Sequence, residues 1–187
     1  KAGPVIGPFL TKVFEPKLYQ RMEQLGEPLI PYVNLRNETP ENGIVAFLET
    51  PRYSTGYTTL FSTLGFTAEA HMLKPFPERV EATRKLLQEV GLLSMELARE
   101  IKQIRADEQV RLSNAHDLPV RWKLDTADST KLAFKGYTAR REISAITKST
   151  RLRYDHNVMW EDSITYQNSY ETKCVTILPE FYCIPQA

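Results

Sequence analysis

Glu49-Thr-Pro-Arg-Tyr-Ser-Thr-Gly-Tyr-Thr-Thr-Leu-Phe-Ser-Thr-Leu-Gly-Phe-Thr-Ala-Glu-Ala-His-Met-Leu-Lys74 is the stretch around which this chain is organised. Its residues read as a strand end, a polar loop holding Arg52 and Tyr53, a short helix and a second strand that carries Glu69. Ser54 and Thr55 are of the types that cap helix N-termini, and Gly65 is where the helix is expected to end. Phe66 to Met72 then forms the strand, which Pro75 and Pro77 terminate. Such a layout sets one carboxylate and one guanidinium at the rim of a shared cleft, because loops that follow strand ends face the same crevice. His71 follows Glu69 by two positions, so on a strand both side chains point to one face.

Upstream, Ile44-Val-Ala-Phe-Leu48 is an unbroken apolar run within Gly43 to Glu49, which suggests a strand covered on both faces, as in α/β sheets. Residues 1 to 8 carry Gly3, Pro4, Gly7 and Pro8 and read as loop. Phe14, Leu18, Met22 and Leu25 recur at helical spacing, so Phe9 to Leu25 is a helix, interrupted near Pro16 and capped by Gly26. Leu29 to Leu35 is short and extended, and Asn37 to Asn42 is a polar loop.

Downstream, Val80, Thr83, Leu86, Leu87, Val90, Leu93, Leu97, Ile101 and Ile104 recur at three- and four-residue steps. They predict a single amphipathic helix over 78–104 whose apolar stripe packs on the sheet. The character of the chain changes between Ala106 and Pro119. Val120 to Leu124, Lys131 to Tyr137, Arg151 to Tyr154 and Lys173 to Leu178 alternate apolar with polar residues, the pattern of antiparallel strands. Residues 116–187 are thus expected to form a small β-sandwich or part of one. Cys174 and Cys183 face each other across a disulfide if Leu178 and Pro179 make a tight hairpin, and are two free thiols if Pro179 marks a longer crossing.

Composition sets the outer bounds. The chain has 187 residues, 24 basic against 23 acidic, for a net charge of +1. That balance gives no electrostatic reason to expect nucleic acid or an anionic membrane as partner. No apolar run approaches the roughly 18 residues that span a bilayer. The chain opens on Lys1 rather than Met, which leaves room for a leader or an upstream domain.

Phe66-Thr67-Ala68-Glu69, with an aromatic, Gly-containing loop upstream, resembles the late strand of zinc carboxypeptidases of the carboxypeptidase A type. The run from Pro51 to Val80 is similar to a bacterial branch of that family whose members read P-R-Y-S-x-G-Y and then E-x-H-M-L-K-P. The resemblance implies an α/β fold in which residues 1–112 are the last part of a mixed-sheet catalytic domain, followed by the β-rich accessory region 116–187. It implies a metallopeptidase, a hydrolase that removes C-terminal residues from peptide or protein substrates, with Glu69 as general base for a zinc-bound water. A metal lowers the pKa of bound water towards about 7, and a nearby carboxylate completes the deprotonation. It also implies an extracytoplasmic location, periplasmic or secreted.

Arg52 has two readings: gripping a peptide's free C-terminal carboxylate with paired hydrogen bonds, or a salt bridge to Glu49 or Glu69. Tyr53 and Tyr57 flank the same loop as candidate pocket walls, against rim or core packing. Thr55 falls where the family places the floor of its specificity pocket. His71 supports Glu69 or contacts substrate, or else is a packed, hydrogen-bonded histidine. The family's mobile tyrosine aligns near Leu48, and Ala70-His71 stands where better-known members have Leu-Arg. The zinc ligands of the family are a His-x-x-Glu pair and a later His. His71, His116 and His156 are followed three residues on by Lys74, Pro119 and Met159. No zinc motif is therefore present, and the metal is expected in a missing N-terminal half that would be this chain's partner. Lys1 to Pro8 resembles the region just after the third ligand, and the tail Tyr182 to Ala187 ends where related proteins continue. The chain alone is expected to be inactive.

A different class of function remains open from the residues. Trp122, Tyr137, Tyr154, Trp160, Tyr166 and Tyr170 supply either a stacking surface for a glycan or protein, which makes this a non-catalytic binding fragment, or a sandwich core. A parent that has lost its metal ligands, a pseudo-enzyme, is a third reading.

Overall fold

Helical spacing of Phe14, Leu18 and Met22 does produce a helix, and it starts earlier than the glycines and prolines near the N-terminus suggest. The computed structural model describes residues 3–72, 74–181 and 183. Within them α1 (Ile6–Phe9), a wider π-helical turn (Leu10–Phe14) and α2 (Glu15–Gln24) run on without a break. Residues 6–8, expected as loop, are thus helical, while Lys1 and Ala2 lie outside the described residues. Pro16 has no N–H to give the preceding turn, and the chain accommodates it by widening that turn rather than by stopping. The end is as the sequence indicates: Gly26 takes φ 75°, its N–H meets Glu23 O at 2.9 Å, and the Glu27 N–H meets Met22 O at 2.9 Å. These two bonds satisfy carbonyls left over at the helix terminus, and the positive φ is why the position is glycine.

The single helix expected over 78–104 is two. α4 (Phe76–Glu96) and α5 (Ala98–Ser113) meet at Leu97, whose φ −96° and ψ 17° turn the axis. The ladder is not cut there, because Leu97 N–H still bonds Leu93 O and Ile101 N–H still bonds Leu97 O, both at 2.9 Å. Pro75 and Pro77 serve to open α4, with Pro77 in its first turn, where the missing N–H costs no helical bond. The apolar stripe does not lie on a sheet. Leu93 and Leu97 are buried against Phe14, Leu18 and Met22 in one cluster, with Leu86, Val90 and Ile101 packed around it. Lys17–Glu96 at 2.9 Å, Lys85–Glu27 at 3.0 Å and Arg21–Glu89 at 3.5 Å line the polar margins of this helix pair. Half-exposed pairs of that kind add about 0–1 kcal/mol each, so the apolar contacts hold the pair together.

Of the expected strand Gly43 to Glu49 only β1 (Ile44–Val45) forms. It pairs in parallel with β4 (Thr150–Gln167), Ile44 opposite Tyr166. Leu35 bridges to Ile44 on the other side, so residues 30–47 fold as a clip against the strands. A side chain at position 43 would put Cβ 2.7 Å from Thr165 O, and Gly43 has φ 94°, so glycine is required for β1 to lie this close.

Beyond α5 the alternating segments are strands, longer than their patterns show. β2 (Asp117–Leu124) and β5 (Tyr170–Ile177) form a two-stranded ribbon, while β3 (Thr130–Ile143) pairs antiparallel with β4 in the sheet order β1-β4-β3. The bonds Asp125 N–H to Ser169 O and Leu178 N–H to His116 O make the ribbon antiparallel. The β3–β4 register shifts between Tyr137 and Thr138. Just before the shift Gly136 faces Trp160, whose ring would sit 2.7 Å from a Cβ, and Trp160 stacks on Phe134 with centroids 5.6 Å apart. Phe134, Ile44 and Ile164 are the buried core of this region.

The chain thus mixes helices with parallel and antiparallel strands. It divides into two compact units: one runs up to Leu29, over Leu48–Leu118 and from Thr176 on, and the other comprises Ile30–Phe47 and Pro119–Val175. The second unit therefore takes residues 30–47 out of the stretch 1–112 that the sequence suggested as one region. Cys174 and Cys183 are exposed free thiols. Of the tail from Tyr182, only Cys183 lies among the described residues.

Candidate functional site

The short helix of the opening stretch forms as α3 (Ser54–Thr59), with Tyr53 as its N-cap residue and no side chain capping it. The expected caps Ser54 and Thr55 fall inside the helix instead. Gly56 explains why the helix can begin here: a Cβ would meet Thr50 O at 2.1 Å, so the first turn lies directly on the chain that leads into it. Gly65 does the same on the exit side, where a Cβ would come 2.5 Å from Thr58 Oγ1. Ser62, buried with φ 52°, closes the turn after α3, and its carbonyl accepts a 3.0 Å hydrogen bond from Arg105 Nε on α5.

The second half of the stretch departs from expectation. Residues 63–71 form no regular secondary structure and pair with no strand, so Glu69 is not on a sheet and Glu69 and His71 do not share a strand face. The physical reason lies in their packing. Leu64 joins the helical core, and Phe66 stacks on Phe14 with ring centroids 5.3 Å apart, so the segment's apolar residues are satisfied by helices.

Two parts of the site are nonetheless brought together. Thr67 Oγ1 donates to Glu49 Oε1 at 3.2 Å, tying the loop that leads to Arg52 and Tyr53 to the segment that carries Glu69. Glu69 and Arg52 are both exposed, and neither takes part in a hydrogen bond or ion pair among the described residues. The salt bridge from Arg52 to Glu49 or Glu69 is therefore not formed. Tyr53 and Tyr57 are about half exposed, Tyr57 edge-on to Phe61 at 5.2 Å. Thr55 is partly buried, and its Oγ1 is shut off from solvent with no partner, as is Glu49 Oε2. His71 is exposed, and its carbonyl accepts the Lys74 N–H at 3.1 Å.

Sequence reading missed Arg79. A shallow cleft of about 490 Å³ runs beside Ala70 and is lined by Phe76, Arg79, Val80, Thr83 and Leu87. The Arg79 guanidinium lies 5.7 Å from the Phe76 ring centre, and its Nε is buried without an acceptor. An apolar trough with one unsatisfied donor suits an apolar group that carries a carbonyl or carboxylate. The signal was present in the heptad-like spacing of Phe76, Val80 and Leu87, but it merges with the stripe that faces the core.

Among the described residues no three His, Cys, Asp or Glu side chains converge where they could hold a metal ion. His71 belongs to the helical unit, whereas His156 lies edge-on to Tyr137 at 5.2 Å in the strand unit. Among the aromatic residues of the strands Tyr137 is exposed, whereas Trp160 and Tyr166 pack on the core, Tyr170 Oη donates to Ala46 O at 2.6 Å, and Trp122 and Tyr154 are partly buried. Compared with models of protein families, with curated proteins and with solved structures, the chain matches none. What fold and site define is a mixed helix-and-strand protein with an exposed carboxylate at Glu69, an exposed guanidinium at Arg52 and a shallow cleft along α4.

Proposed function

We propose that this chain is part of a zinc carboxypeptidase-like peptidase, a hydrolase that cuts C-terminal peptide bonds, with Glu69 as its general base. The reading rests first on the resemblance of Pro51 to Val80. The observation that carries it in the structure is the Thr67–Glu49 hydrogen bond, which holds the Arg52 loop against the Glu69 segment while leaving both charged groups open. A base must reach a water and a substrate, and an exposed carboxylate with no partner of its own is available for both. Arg52 offers a two-pronged grip for a substrate carboxylate, and Tyr53, Tyr57 and Thr55 border the space beside it. The metal's ligands belong to polypeptide outside these 187 residues.

The test uses the full-length gene product. Glu69→Gln keeps shape and hydrogen-bonding capacity but removes the base, and should lower kcat on a blocked C-terminal dipeptide by about a hundred- to ten-thousand-fold with KM little changed. Retention of full activity by that variant would refute the assignment. The 187-residue chain on its own should neither cleave the dipeptide nor retain stoichiometric zinc after dialysis.

A further inference from the structure

Residues 140–153, Arg-Arg-Glu-Ile-Ser-Ala-Ile-Thr-Lys-Ser-Thr-Arg-Leu-Arg, carry five basic side chains and one acidic one in a chain whose net charge is only +1. The overall balance that argued against an anionic partner therefore hides a strong local segregation. In the structure these residues are the end of the β3–β4 hairpin. Arg140 lies directly opposite Arg153, and Glu142 opposite Arg151. Like charges placed opposite each other across strands are destabilising, and the Glu142 carboxylate beside both Arg140 and Arg153 offsets part of that repulsion. One carboxylate serves three guanidinia: Glu142 accepts from Arg151 at 2.6 Å and from Arg153 at 3.3 Å, and lies 3.9 Å from Arg140. Arg141 pairs with Glu38, and the three arginines around Glu142 remain more than half exposed.

The tip beyond this collar exposes two aliphatic side chains. Ile146 is 92% exposed and Ile143 is 68% exposed. The loop is closed by Ser144 N–H to Ser149 O at 2.9 Å and Lys148 N–H to Ser144 O at 3.0 Å, and the Thr147 and Ser149 hydroxyls lie 2.8 Å apart. These bonds close the turn and leave the Ile146 side chain projecting at its end. An aliphatic point on a cationic collar matches the layers of a bilayer surface, hydrocarbon below and lipid phosphates above.

We propose that the β3–β4 hairpin tip docks this protein onto an anionic membrane surface, Ile146 and Ile143 entering the headgroup layer while Arg140, Lys148, Arg151 and Arg153 meet lipid phosphates. The protein lies on the membrane rather than crossing it; no helix among the described residues is long and apolar enough to span one. Nucleic acid is the poorer partner, because the tip holds no aromatic ring for a base to stack on and a phosphate backbone gains nothing from Ile146. The inference is independent of the peptidase reading.

The experiment is co-sedimentation of the 187-residue chain with vesicles of phosphatidylcholine alone and of phosphatidylcholine with phosphatidylserine. Binding is expected only to the second and should weaken with salt. Arg153→Ala should reduce it about fivefold, since each basic residue near an anionic surface contributes about 1 kcal/mol. Ile146→Asp should reduce it at least about tenfold, because it removes an apolar contact and adds a repelled charge, while the thermal midpoint stays unchanged as the site is exposed. Failure to sediment with the anionic vesicles overturns the proposal, as does equal binding by Ile146→Asp. Tight binding of a single-stranded oligonucleotide by both forms, with the vesicles left unbound, also overturns it and marks the collar as a nucleic-acid face.

Discussion

Leu87 and Leu93 belong to the same apolar series in the sequence, yet the structure gives them opposite surroundings. Leu93 is 0% exposed at the centre of the helical core, whereas Leu87 is 68% exposed on α4. Truncating a fully buried leucine to alanine costs about 3–5 kcal/mol, the sum of lost transfer energy and the cavity left behind. Truncating one that keeps most of its surface in water costs about 0.5 kcal/mol or less, because little burial is lost and no cavity forms. Urea unfolding followed by far-ultraviolet circular dichroism reads the helical unit. With a slope of about 2 kcal/mol per molar urea, Leu93→Ala should lower the midpoint by roughly 1.5–2.5 M and Leu87→Ala by about 0.2 M or less. Trp122 and Trp160 both lie in the strand unit, so their fluorescence follows that unit separately. Equal losses for the two variants would refute the packing of α4 on α2, since a helix seated on a sheet through its whole apolar series would bury both.

Other consequences follow from single contacts. Glu108 on α5 is buried, accepts the Val5 N–H at 3.3 Å and Arg111 Nη2 at 2.6 Å, and thereby holds the start of α1 across the chain; Glu108→Ala should cost about 1–3 kcal/mol and speed amide exchange at residues 5–9. Gly56→Ala would force a Cβ to 2.1 Å from Thr50 O, and should destabilise by about 1–3 kcal/mol and loosen the Arg52 loop, read as faster proteolysis there. Burial pushes the Glu15 carboxyl above its ordinary range, so the folded state holds the proton more tightly than the unfolded chain. Stability from this group is present below the ordinary glutamate value and lost as pH rises through the raised one. Glu15→Gln should therefore raise the thermal midpoint at neutral pH and flatten that decline. Loss of peptidase activity in the full-length Glu69→Gln variant is the matching test of the site.

Much of the local structure was legible. Gly26 as a cap, helical spacing from Phe14 to Met22 and the alternation of Lys131 to Tyr137 each reflect forces that act within a few residues. The candidate site was less so. Phe66 to Met72 has the composition of a strand, but a strand exists only where another offers its hydrogen bonds, and no spacing reveals that Phe66 stacks on Phe14 instead. The break at Leu97 carries no glycine or proline to announce it, and Arg79 entered the cleft only because the helix turned that face towards Ala70.

From the order of residues alone came the amphipathic helices, the short helix after the Arg52 loop and the turn from helix to strand before residue 120, because periodicity and backbone preference are written locally. Which surfaces meet was settled by folding. α4 rests on α2 rather than on a sheet, Ile44 and Val45 pair with a strand more than a hundred residues away, and the arginines of 140–153 gather beneath an exposed isoleucine. Burial and strand pairing depend on partners distant in the chain, and a pattern of apolar positions states that a face will be covered without stating by what.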